Sequence, residues 1–146
     1  VDPTELPEIA AWIDIVGEFD PKAFCAANVP VAHALAVAEI FWPDFIEYQG
    51  MVLLKSAFDE EAVVAWIDRL EGDRAAIEGV VNEVHLWDLF RLELEAEYGA
   101  VAAMAPKVAS MWISAAREAF PAKRFQVALD MSPDSYGPTL TIFTLD

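Results

Sequence analysis

The chain has 146 residues, 56% of them hydrophobic, with a mean hydropathy of +0.32 and a net charge of −16. This length is enough for one domain with a core of its own, and the apolar content excludes intrinsic disorder. Nine basic residues against 25 acids argue against a phosphate-binding surface, so neither nucleic acid nor a membrane is an expected partner.

The apolar content exceeds that of an ordinary soluble domain. It implies either a very full core or a surface that a second subunit covers, and a homodimer is expected because apolar patches rarely stay exposed on monomers. The charge is spread along the chain: residues 1–72 hold 14 acids and 3 bases, residues 73–146 hold 11 and 6. Cys25 is the only cysteine, which rules out an internal disulfide and fits a cytoplasmic location. Between Phe24, Ala26 and Ala27 it is expected to be a small buried hydrophobe. The opening VDPTELPEIA has neither a basic nor an apolar leader segment, so no signal peptide is expected.

The first predicted helix begins near Pro7, carries Ile9, Trp12, Ile13 and Val16 at helical spacing, and stops at Gly17. Asp20-Pro21 reads as the cap and first residue of a short helix that closes at Asn28. Pro30 opens the next, VAHALAVAEIFW, which Pro43 ends. Apolar residues surround this helix, which predicts burial on most sides.

The period then changes. DFIEYQGMVLLK is a predicted hairpin turning at Gln49-Gly50. Phe58 and Asp59 read as staple and N-cap of a helix bearing Val63, Trp66, Ile67 and Leu70. Asp73 caps another helix, expected to run on through NEVHLWDLF. A long helical pattern from Leu92 to Phe120 is interrupted by Pro106, which predicts a kink or two helices. Alternation returns at Phe125, Val127, Leu129 and Met131, and TLTIFTL follows the turn SPDSYGP.

This order describes a mostly helical α+β domain over residues 1–146. Its two hairpins, at about 44–56 and 124–145, are expected to form one small antiparallel sheet covered by helices.

No phosphate-binding glycine loop, nucleophile elbow, Cys-x-x-Cys or His-Glu-x-x-His pattern is present, so no cofactor or metal is expected. Within NEVHLWDLF, helical geometry sets His85 at the edge of the apolar face, beside Glu78 and Asn82, and Asp88 near its centre. Glu83 then points away as ordinary surface. His85 and Asp88, three apart, are weak catalytic candidates as an acid–base pair. A structural role is weighed more heavily for both. A second candidate set combines acids with aromatic rings, a chemistry that holds organic cations. It comprises Glu39, Trp42, Glu47, Tyr48, Trp87 and Asp88.

The expected function is a non-enzymatic acidic binding protein that holds a basic protein surface or a cationic, partly apolar small molecule. The alternatives are a small acid–base enzyme using His85 and Asp88, or an oligomeric interaction module with no ligand site.

Overall fold

The computed structural model describes residues 1–146. Three helices come first: α1 (Pro7–Val16), α2 (Pro21–Asn28) and α3 (Val31–Phe41). Asp20 caps α2 by accepting from the Lys22 N–H, and Gly17 ends α1 in the left-handed region at φ 99°. The hairpin β1 (Phe45–Tyr48) and β2 (Met51–Leu54) follows in antiparallel register, Tyr48 opposite Met51. Gln49 and Gly50 both have positive φ, as a two-residue hairpin turn matched to strand twist requires.

Next come α4 (Glu60–Arg69) and α5 (Arg74–Val81), capped by the carboxylates of Asp59 and Asp73 as their sequence implies. A short strand β3 (Glu83–His85) leads through a 3-10 turn, Leu86–Leu89, to the long helix α6 (Glu95–Ala119). The final hairpin is β4 (Arg124–Asp130) and β5 (Thr139–Leu145). The fold is thus a small α+β domain, as the periodicities imply.

Several expectations are corrected. The stretch NEVHLWDLF is not helical: α5 stops at Val81 and Asn82 is its C-terminal cap. β3 then pairs with β5, His85 opposite Thr139. Backbone pairing to a strand more than 50 residues away outweighs the weak helix preference of this short segment. Residues 92–120 do not form two helices. α6 is a single helix with Pro106 inside it on an exposed turn. Glu97 accepts from the N–H groups of Glu93 and Leu94 at 2.6 and 2.8 Å, and these bonds hold its carboxyl below the usual range.

The two hairpins do not share a sheet. β1 and β2 form one sheet, and β3, β5 and β4, in that order, form another. Between them lie two side chains one turn apart, Glu78 on α5 and Asn82 at its C-terminal cap. Asn82 accepts from the Leu54 N–H at 2.9 Å and donates to the carbonyls of Val52 at 2.8 Å and Ile142 at 2.9 Å. Glu78 accepts from the Thr144 N–H at 2.7 Å and the Thr144 hydroxyl at 3.1 Å. These bonds satisfy edge groups that β2 and β5 would otherwise give one another, so the polar end of a helix replaces a strand-to-strand seam. Both residues are buried, and desolvation raises the Glu78 carboxyl above its ordinary value despite the Thr144 bonds.

β2 is the centre of the packing. Val52 and Leu54 face a cluster with Leu86, Val101, Val108, Trp112, Phe125 and Leu140, while Met51 and Leu53 face Val63 and Ile77. The indole N–H of Trp112 donates to the Ile40 carbonyl at 3.0 Å, tying the end of α3 to α6.

The N-terminal helices differ. α2 and α3 bury no residue, and α1 buries only Ile9. The predicted burial of α3 is therefore not met within this chain, and Cys25 is exposed rather than buried. No helix is long and apolar enough to cross a membrane.

Candidate functional site

Two places carry the candidate residues. The first is the open face of the β3–β5–β4 sheet. Strand geometry sends alternate side chains to one face, so Glu83 and His85 lie together, with Thr139 directly across from His85. The imidazole Nε2 is 3.3 Å from the Glu83 carboxylate, and Nδ1 is 3.0 Å from the Thr139 hydroxyl. The Thr139 hydroxyl carries one proton, for which the imidazole Nδ1 and the Gly137 carbonyl are both within reach. The carboxylate beside His85 is thus Glu83, not Asp88, because the period is two rather than 3.6.

An acid, an imidazole and a hydroxyl in this order also occur in nucleophilic triads. Thr139, however, is only 7% exposed, and its hydroxyl also lies 3.3 Å from the Gly137 carbonyl. None of the five principal hollows is lined by His85, Asp88 or Thr139. In this fold the bonds fix the ring and pin the loop that precedes β5.

Beside them is an aromatic cluster. Trp87 meets Tyr98 and Tyr136 edge-to-face, with ring centroids 5.0 and 5.6 Å apart, and Tyr136 meets His85 at 5.9 Å. Gly137, at φ 67°, lies against the Trp87 indole, where any Cβ would overlap the ring. Asp88 is exposed, and its charge raises the Tyr136 phenol above its usual value. The rings fill one another's space rather than lining a cage.

The other acid–aromatic candidates have different neighbours. Glu39 lines a hollow with Pro43, Asp44 and Lys55, and half-exposed Trp42 borders an adjoining one at the same corner. Glu47 pairs with Lys123 at 3.6 Å. Tyr48 donates to Glu60 at 3.4 Å and packs on Phe58. The structure brings Trp87 together with Asp88 and Glu39 with Trp42, but none of these hollows gathers all six. Lys123 already pairs with one of the carboxylates, and Lys55 lines the same hollow as Glu39.

The second place is the N-terminal surface. Ile15 is 86% exposed, Val31 85% and Leu35 63%, and Val16 and Val29 are exposed too. Seven acids stand in residues 1–42 against Lys22 alone. Along α1 and α2 run two hollows of about 530 and 440 Å³ that share Glu8 and Phe24. The first is walled by Leu6, Ile9, His33, Phe90, Arg91 and Val101; the second by Ala11, Trp12, Ile15 and Asn28. Sequence reasoning took the apolar pattern of α3 for core. The signal is the unbroken apolar circumference itself, which a helix packed on one side does not need. Glu78, Asn82 and Thr139 were also missed as functional positions, and each proves to be a structural anchor.

No group of three or more metal-ligating side chains is assembled. Comparison with family models, curated proteins and solved structures finds no match for this chain.

Proposed function

We propose that this chain is a non-enzymatic binding protein whose N-terminal helices take a basic polypeptide with an apolar face. The observation that carries this reading is α3, a helix with the composition of a buried one and no buried residue. Its sequence specifies burial, and the remainder of the chain does not supply it. The exposed Ile15, Val31 and Leu35 offer roughly 1.5–3 kcal/mol each on full burial, enough to outweigh part of the entropic cost of association. The charge selects the partner. The seven acids of residues 1–42 against one Lys favour a cationic surface, and two copies of a −16 chain repel one another. Self-association on this face is the competing outcome, and salt would strengthen it.

The test is calorimetric titration of the full chain with a synthetic amphipathic helix of leucine and lysine, in low and high salt. A shuffled peptide of the same composition is the control. Preferential heat with the amphipathic peptide, weakened by salt, is the expected result. Equal or absent heat from both peptides refutes the reading. A salt-strengthened dimer by light scattering would replace the basic partner with a second copy.

A further inference from the structure

We infer that the partner engages as a single basic amphipathic helix lying in the groove between α1 and α2, with a cationic side chain over Glu8. This rests on the function proposed above and adds the binding mode. Glu8, Ala11, Trp12 and Ile15 recur at helical spacing along one flank of α1, facing Phe24 and Asn28 of α2, also one turn apart. Trp12 and Phe24 meet edge-to-face at 5.6 Å and form the floor, while Ile15 stands almost fully exposed at one end. Two helices side by side leave a trough of mixed polar and apolar lining that a third, amphipathic helix fills with side chains at i, i+3, i+4 and i+7. Glu8 borders both hollows and forms no ion pair, and Arg91 shares only the first of them, so in the second hollow its carboxylate can meet an incoming Lys or Arg. From Glu8 to Ile15 is about 10 Å of helix, which matches a partner segment of two to three turns.

Charge decides the occupant. Glu18 and Asp20 follow the Ile15 end, with Lys22 the single base nearby, and Glu5 precedes Glu8, so acids outnumber bases at both ends. A second copy of α1 would bring acids to acids.

The leucine–lysine peptide, fluorescently labelled, is titrated by anisotropy against the parent chain and against Glu8→Lys, Ile15→Glu and Leu35→Glu. Glu8 and Ile15 are exposed, so both groove variants keep the parent melting temperature. Each is expected to weaken binding about tenfold or more, and Glu8→Lys also to flatten the salt dependence. Leu35→Glu, on α3, has the smaller effect. If the peptide binds the parent but Leu35→Glu abolishes binding and the groove variants do not, the groove is overturned while the proposed function stands. If the parent binds no peptide, both fall. A dimer of the chain that Ile15→Glu dissociates would assign the groove to a second copy and overturn the inference.

Discussion

Residues 1–42 and residues 43–146 obey the same packing rules and reach opposite results. Of the 22 buried residues, Ile9 is the only one before Pro43. The later region closes around β2, whose four residues are all buried, and satisfies its inner polar groups with Asn82 and Glu78. The earlier region has helices that are equally apolar and well delimited by prolines and caps, but they leave Ile15, Val31 and Leu35 in water. Burial follows from what a helix is given to pack against, not from its own composition. One region closes on itself, and the other leaves its apolar helices largely in water.

The largest effect expected is at the polar seam. Asn82→Ala leaves the Leu54 N–H and the carbonyls of Val52 and Ile142 without their partner inside the core. A loss of about 3 kcal/mol is expected, seen as a lower denaturation midpoint. An unchanged midpoint would mean that the two sheets hold together without α5.

Glu78 gives a smaller, pH-dependent effect. Its carboxyl is raised above its ordinary value by burial, so the folded chain binds this proton more tightly than the unfolded chain. The contribution is present below the unfolded value of about 4.5 and is lost as pH rises through the folded value. Glu78→Gln removes it. Melting temperatures of variant minus parent should therefore increase with pH across that window, and a flat difference would refute the role of desolvation.

Asp88→Ala should change stability little, since Asp88 is exposed, but should lower the titration midpoint of Tyr136. Ultraviolet absorbance of the phenolate measures this. The smallest effect separates the two regions most sharply. Val31→Glu combined with Leu35→Glu should alter the unfolding free energy by no more than about 0.5 kcal/mol per site. Chemical denaturation that finds a loss of core size would show that α3 packs in solution against its own chain. Hydrogen exchange sharpens the same contrast, with faster exchange in α2 and α3 than in β5 and the middle of α6.

Most of the element inventory was legible from local chemistry. Asp20, Asp59 and Asp73 cap helices where their spacing says, Gly17 ends α1, and Gln49-Gly50 makes the turn. The failure came at residues 82–90, where a helical period was carried past its end. That single error exchanged Glu83 for Asp88 as the neighbour of His85, because a change of period moves every side chain to a different face. Of the acid–aromatic set, only neighbours in sequence stayed neighbours in space. Trp87 with Asp88 and Glu39 with Trp42 did so, while Tyr98 and Tyr136 joined Trp87 from distant segments.

The sequence by itself determined the acidic surface, the helix boundaries set by Pro, Gly and Asp, the hairpins and the apolar faces, since each depends on residues a few positions apart. The tertiary structure alone decided that the hairpins form two sheets, that Asn82 and Glu78 join them, that Thr139 meets His85 and that α3 stays uncovered except at its C-terminal end. Those outcomes depend on which distant groups compete for the same hydrogen bonds and the same apolar surface, and that competition is settled only when the whole chain has packed.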